Sequence, residues 1–117
     1  MADARRIQQV FINLIQNAIK FSHERSRIII KAKMKKIYVD PSHSSEWFVL
    51  SIKDSGDGIS EFDLRHIFEP YYRIRHGANK GKGGLGISIC KKICDTLGAD
   101  LKITSSVNTG TKVTVKI

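Results

Sequence analysis

The chain has few of the residues that stiffen or cross-link a fold: 2 prolines, 2 cysteines and 1 tryptophan among 117 residues. Two cysteines cannot build a disulfide framework. Cys90 and Cys94 lie four apart with no second Cys or His pair beside them, which is not zinc-site spacing. They are expected as reduced, partly buried thiols, in keeping with a cytoplasmic domain. No apolar run reaches the ~18 residues that a membrane-spanning helix needs, and no signal-peptide pattern follows Met1. A membrane-anchored parent remains compatible with that. Acidic residues are also scarce, 11 against 20 lysines and arginines, for a net charge of +9. Such an excess reads either as a solvated basic surface or as attraction for polyanions, and no RNA-recognition or zinc-finger signature favours nucleic acid. The length suits one domain with a single core, and no internal repeat divides it.

What is present begins with residues 9–22, QVFINLIQNAIKFS. Ile7, Val10, Phe11, Leu14, Ile15, Ala18 and Ile19 recur at helical spacing, which predicts an amphipathic helix from about Asp3, its N-cap, to Phe21. A second stripe, Gln9, Asn13, Asn17 and Lys20, runs along the same helix at steps of four, four and three. Asparagine prefers caps and turns to helix interiors. Two of them one turn apart, about 6 Å along the axis, therefore suggest a binding stripe.

Residues 27–39 and 47–53 are rich in β-branched and aromatic residues and read as strands, with the polar cluster 40–45 as the turn of a hairpin. A loop, Asp54-Ser55-Gly56-Asp57-Gly58, precedes a short helix over residues 60–68 that is N-capped by Ser60 and ended by Pro70. Residues 76–84, HGANKGKGG, lack periodicity and read as a mobile functional loop. A second long helix is expected over 86–97, with Ile87, Cys90, Ile93, Cys94 and Leu97 toward the core and Gly98 at its C-terminal end. Strands over 100–105 and 111–117 close the chain. The order implies an α+β two-layer sandwich: a mixed or antiparallel sheet with about three helices on one face.

Two glycine-rich segments carry chemistry. A carboxylate at a strand end followed by spaced glycines, as in Asp54-x-Gly56-x-Gly58, can hold an acceptor in a pocket while a flat group packs on backbone without Cβ atoms. A calcium loop is excluded because Ile59 and Phe62 stand where oxygen ligands would be needed. Lys82-Gly83-Gly84-Leu85-Gly86-Ile87 leads into a helix, where exposed N–H groups and the helix dipole favour an anion. It is neither a P-loop nor a dinucleotide fingerprint.

Taken together and in order, these segments resemble the ATP-binding catalytic domain of histidine kinases, in the GHKL (Bergerat-fold) superfamily that also includes DNA gyrase, mismatch-repair ATPases and heat-shock chaperones. The resemblance spans residues 1–117 as one domain. Residues 13–22 look like the asparagine box, Asp54-x-Gly56-x-Gly58 like the first glycine box, residues 68–73 (FEPYYR) like the phenylalanine box, and Gly84-Leu85-Gly86 like the second glycine box. It implies that Asn17 ligates the Mg2+ bridging the ATP phosphates, with Asn13 beside it and Lys20 reaching the phosphates. It implies further that Asp54 accepts from adenine N6, with Gly56, Gly58, Ile59 and Phe21 around the base. Tyr72 and Arg73 would approach the γ-phosphate, and a lid over residues 74–83 would close on the nucleotide. Lys82, Gly83, Gly84, Leu85 and Gly86 would line the phosphates. The family pattern has glycine where Lys82 stands, and usually carries strand sequence before the first helix.

The implied catalytic residues are Asn13, Lys20 and Arg73. Hydrolytic members of the superfamily carry Glu at the position of Asn13; an amide cannot act as a general base. A neutral histidine is itself a nucleophile, so phosphoryl transfer to an imidazole needs only positioning and charge stabilisation. Ser22-His23-Glu24 imitates a phosphoacceptor motif, but it leads into strand sequence and lacks the following Pro, so a surface turn is expected. The acceptor is then implied on a separate helical dimerisation domain, with a response-regulator receiver domain downstream and this piece alone a monomer. Two alternatives stay open: a non-catalytic binding or docking domain of the same fold, supported by Lys82, and a serine kinase of the same superfamily.

Overall fold

The computed structural model describes residues 4–22 and 26–117. Asp3, the expected N-cap, and His23 lie outside them. The elements follow the order α1 (Ala4–Phe21), β1 (Ile28–Asp40), β2 (His43–Asp54), α2 (Glu61–Leu64), α3 (Gly86–Leu97), β3 (Asp100–Ser106) and β4 (Gly110–Lys116). The strands form one sheet in the order β1-β2-β4-β3, with every neighbouring pair antiparallel. The sandwich expected from the sequence is therefore present, with an antiparallel rather than mixed sheet.

The apolar stripe of α1 buries Val10, Leu14 and Ala18 against Cys90, Ile93 and Cys94 of α3. Beneath them lie Leu50 and Ile52 of β2, Leu101 of β3 and Val115 of β4, the inward residues of alternating strands. A smaller cluster of Phe21, Ile59, Ile67 and Ile74 sits at the end of α1, and Phe68 packs against both clusters. The two thiols behave as small hydrophobes. Burial, with Cys94 nearby, pushes the Cys90 thiol up to about 11, and burial raises Cys94 as well. Both remain protonated, and Cys90 Sγ donates weakly to Val10 O at 3.8 Å. Helix α3 ends at Gly98, whose left-handed φ of 71° allows its N–H and that of Ala99 to bond back to Asp95 and Cys94 carbonyls.

Two boundaries differ from the sequence expectation. The polar residues His43, Ser44 and Ser45 were expected in the turn, yet they pair with Asp40, Tyr38 and Ile37 as strand. Asp40 Oδ1 accepts from Ser42 N at 2.8 Å, closing the hairpin at Pro41-Ser42. Register across a hairpin thus overrides polar composition. Helix α2 stops at Leu64 instead of running to Phe68. Ser60 does cap it, accepting from Asp63 N at 3.2 Å, but residues 65–69 continue as successive turns.

Leu14, 1% exposed at the centre of the α1–α3–sheet contact, is the position where truncation should be costly. Leu14→Ala is expected to lose about 2–5 kcal/mol of stability. Ile12→Ala, at a site 47% exposed, should lose far less. Urea unfolding of the two variants, read as a midpoint shift at constant slope, checks the contrast.

Candidate functional site

The polar stripe of α1 faces the glycine turn that begins α3. Between them lies a cavity of about 230 Å³ lined by Asn13, Asn17 and Lys20 on one side and Gly83, Gly84, Leu85 and Gly86 on the other, with Gln16, Phe21, Ile67, Tyr72 and Ile87 completing it. Gln9, the first residue of the expected stripe, is not part of the wall; Gln16 takes that place. Asn17 Nδ2 is buried without a hydrogen-bond partner. Burying an unsatisfied donor costs about 1–3 kcal/mol, so this N–H group is one that an acceptor oxygen in the cavity would complete. The approach is tight: a Cβ on Gly86 would stand 3.1 Å from Asn17 Nδ2, so a side chain there would press on the amide and shift it.

Beside this cavity is a mainly apolar slot lined by Leu14, Ala18, Phe21, Ile59, Ile87 and Val113, with Asn17, Asp54 and Thr111 as its polar members. Asp54 is 4% exposed, and its Oδ1 accepts from Gly56 N at 2.9 Å and Thr111 N at 3.3 Å. A Cβ on Gly56 would meet Phe21 O at 2.7 Å, and Gly58, with φ 75°, approaches Ser106 O still more closely. The two glycines therefore hold the loop against its neighbours rather than lining the slot. The slot itself measures about 20 Å³, room for roughly one water. A purine enters only when its side walls move apart.

Two expected ligands point elsewhere. Arg73 is exposed, and its Nη1 donates to Gly81 O at 3.0 Å on the outer side of the lid. It lines a different depression, with Tyr71, Tyr72, Ile74, Arg75, Lys80 and Gly81. Lys82 Nζ donates to Asn79 Oδ1 at 3.0 Å and does not reach the cavity. The cause is a backbone pairing: Arg73 bridges Gly83, and Ile74 N donates to Lys82 O at 2.9 Å, so the lid doubles back as a hairpin and turns these cations outward. Lys20 does face the cavity, but its Nζ is 2.6 Å from Gly83 O, to which it donates.

Nor is the lid loose, as its composition suggested. Asn79, 1% exposed, donates from Nδ2 to Gly58 O at 2.9 Å and ties the lid to the base loop. At its root Asp63 is fully buried and gathers four donors: Ser60 Oγ at 2.8 Å, Tyr72 Oη at 2.7 Å, Arg75 N at 2.9 Å and His76 N at 3.2 Å. Burial pushes the carboxyl up, but the Arg75 N–H, the Tyr72 and Ser60 hydroxyls and the His76 N–H together outweigh it and hold the group at about 2. Tyr71, with a left-handed φ of 62°, turns the chain so that Tyr72 points inward. Asp63, Asn79 and Thr111 are the residues that sequence reasoning missed. The nearest signal was Asp63 three residues after a capping serine, which explains only its first partner.

No group of three or more His, Cys, Asp or Glu side chains able to hold a metal occurs among the described residues. Among the described residues a resident metal therefore has no cage. The neutral amides of Asn13 and Asn17 suit a hard cation that arrives with its own phosphate oxygens and waters, as Mg2+ does.

A polar cavity at a glycine-led helix N-terminus, joined to an apolar slot with a buried carboxylate, defines a nucleotide-binding domain of the helix-over-sheet kind. Residues 2–117 match the sequence profile of the family described as histidine kinase-, DNA gyrase B-, and HSP90-like ATPase, and the chain belongs to that family. It is 37% identical over 110 residues to hybrid signal transduction histidine kinase B of Dictyostelium discoideum, spanning 92% of this chain and 5% of that protein. It is 36% identical over 117 residues to sensor histidine kinase YkoH of Bacillus subtilis (strain 168), spanning 98% of this chain and 23% of that protein. The nucleotide-free catalytic domain of histidine kinase ThkA superposes with a TM-score of 0.71 at 32% identity, over 99% of this chain and 67% of that one. The chain thus spans less than a quarter of either curated relative.

Asp63 makes the lid root sensitive to acid. Its carboxyl sits at about 2 when folded, below the ordinary 3.8, so the stability it contributes is complete above pH ~4 and is lost as pH falls toward 2. Asp63→Asn is expected to lower stability at neutral pH and to flatten the stability profile over that acid range. Urea midpoints measured across pH 2–6 check it, and an unchanged acid slope in the variant would count against Asp63 as the titrating group.

Proposed function

We propose that this chain is the single ATP-binding catalytic domain of a two-component sensor histidine kinase, taking Mg-ATP and passing the γ-phosphate to a histidine on a separate helical dimerisation domain. The carrying observation is the buried, unpartnered amide of Asn17 in the cavity wall opposite Gly84–Gly86, with Asn13 one turn away. In this reading the unpaired Asn17 Nδ2 donates to a phosphate oxygen while its Oδ1 joins the phosphate oxygens and water around Mg2+, and the N–H groups of the glycine turn meet the phosphate charge. Lys20 exchanges Gly83 O for a phosphate oxygen, a natural trade for a flexible ammonium. Asp54 Oδ1 is taken by two backbone N–H groups, so its other oxygen receives the adenine amine. Arg73 takes part only if the lid rearranges, because its guanidinium now bonds Gly81 O.

Asn13 favours transfer over hydrolysis. It stands in the cavity wall where an ATPase needs a carboxylate to deprotonate water, and an amide offers no base. A histidine acceptor needs none. The phosphoacceptor domain and a response-regulator receiver domain downstream are the partners this reading requires. A serine kinase on the same scaffold would leave an acid-stable product, whereas a phosphohistidine is acid-labile and alkali-stable.

Asn17→Ala separates a ligand site from a structural one. Removing a buried, unpaired amide should leave the ligand-free protein as stable as before or slightly more so, while abolishing stabilisation by Mg-ATP. Thermal shift of the parent chain should rise with Mg-ATP, by about 2.7 kcal/mol of added stability at a hundredfold excess over the dissociation constant. No shift at millimolar Mg-ATP would sink the proposal, as would failure to label an added acceptor domain from γ-labelled ATP.

A further inference from the structure

The helices cover only one face of the sheet, and strand register decides what the other face carries. Ile52 and Leu50 point into the core, so their neighbours Ser51 and Lys53 point away, together with their cross-strand partners. From β1 that face receives Lys31, Lys33 and Lys35, which oppose Ser51, Val49 and Trp47; from β2 it receives Lys53. From β4 it receives Lys112 and Lys116, and from β3 Lys102, which opposes Thr114. The strands contain four carboxylates. Asp54 and Glu46 fall on the helix side, and Asp40 lies at the hairpin tip bonded to His43, so only Asp100 joins the lysines. None of the seven lysines is in an ion pair among the described residues. This face, opposite the nucleotide cavity, is the main seat of the chain's positive excess.

The same face has a built depression and an apolar tip. Lys53 and Lys112 flank a hollow of about 270 Å³ whose rim includes the hydroxyl residues Thr104, Ser106 and Thr109. Because β2 meets the C-terminal strand only from Phe48, which bonds Ile117, to Lys53, the far half of the β1–β2 hairpin projects as a two-stranded ribbon. The molecule measures 49 Å along its long axis against 25 and 24 Å across. The ribbon exposes Val39, 83% exposed, at its lysine-bearing side, and Met34 and Tyr38 on the side that alternates with it.

We propose that this lysine-covered face docks on an anionic phospholipid bilayer, with the hairpin tip at Tyr38-Val39 entering the headgroup layer and the Lys53–Lys112 hollow receiving a headgroup phosphate. Three features select a bilayer over other polyanions. The strands hold no arginine, the residue suited to forked recognition of single phosphates or carboxylates, and lysine point charges suit a diffuse anionic plane. The central strands place Ser51, Lys53, Lys112 and Thr114 where a strand-binding sheet would need stacking aromatics; Trp47 alone is aromatic there. Solvent-exposed apolar residues at the end of a basic ribbon match the amphipathic boundary of a membrane and have no partner on nucleic acid. The site sits apart from the α1–α3 cavity, so docking and nucleotide binding are compatible.

Sedimentation of the whole chain with vesicles tests this. Vesicles of phosphatidylserine in phosphatidylcholine should bring the protein down, pure phosphatidylcholine should not, and added salt should release it. Each lysine at the surface is worth about fivefold in partitioning, so losing three by Lys31→Gln/Lys33→Gln/Lys35→Gln should cost about a hundredfold. Val39→Asp should weaken binding in the parent chain, whereas inorganic phosphate at matched ionic strength should not compete. Circular dichroism and the urea midpoint of both variants serve as folding controls, independent of whether the kinase reading holds. Equal binding to pure phosphatidylcholine, no binding to the anionic vesicles, or binding to single-stranded oligonucleotide without binding to vesicles would overturn the proposal.

Discussion

The contact between α1 and the glycine turn at the start of α3 is the constraint on which the site depends. On one side of α1 the apolar stripe locks Leu14 and Ala18 against Cys90 and Cys94. On the other side the same packing brings Asn17 to within contact of Gly86, where a methyl group would stand 3.1 Å from its amide nitrogen. Core and site are therefore two faces of one helix pair. The close-packed contact sets the distance, and the absence of a side chain at Gly86 leaves the room. An unpaired amide held in this way is a cost that the apolar face of the same helix offsets.

The lid is tied down by polar contacts at three levels. Asp63 holds its root, Asn79 ties its middle to the Gly58 carbonyl, and Lys20 reaches its end at Gly83 O. Of these, the Asp63 and Asn79 contacts are buried, whereas the Lys20 contact is exposed. Buried charge-assisted bonds are the more expensive to break, and an exposed ammonium changes partners at little cost. The lid thus has a fixed root and an exchangeable end.

Much of this was legible because periodicity reports burial. The asparagine stripe, the cysteine-bearing face of α3 and the capping role of Ser60 all follow from residues spaced on one local element. What escaped depends on approaches between distant segments. Asp63 meets Tyr72, Arg75 and His76 only after residues 65–73 have turned back, and no local pattern encodes that. Asn79 sits in a segment whose glycines and lysines suggested looseness, yet its side chain is almost fully buried. Thr111 lies on an ordinary β alternation, and only the Asp54 carboxylate beside it reveals that it borders the slot. Arg73 and Lys82 were assigned to the phosphates by position in a motif, but backbone pairing within the lid decides where long side chains point.

Charge was the least legible property, because composition counts residues without sorting them by face. Lys20 faces the cavity, and Lys80 and Lys82 belong to the lid with Arg73 just before it, but these four cations account for only part of the positive excess. Register divides it differently. A one-residue shift of β1 against β2 would have sent Lys31, Lys33 and Lys35 to the helix side of the sheet and Ile28 to the uncovered side. Ile28, opposite Asp54 and packed against the core, opposes that shift, since the inward side must stay apolar where it meets the core. The hydrophobic core, acting through a strand at the edge of the sheet, thereby concentrates the lysines on the uncovered face.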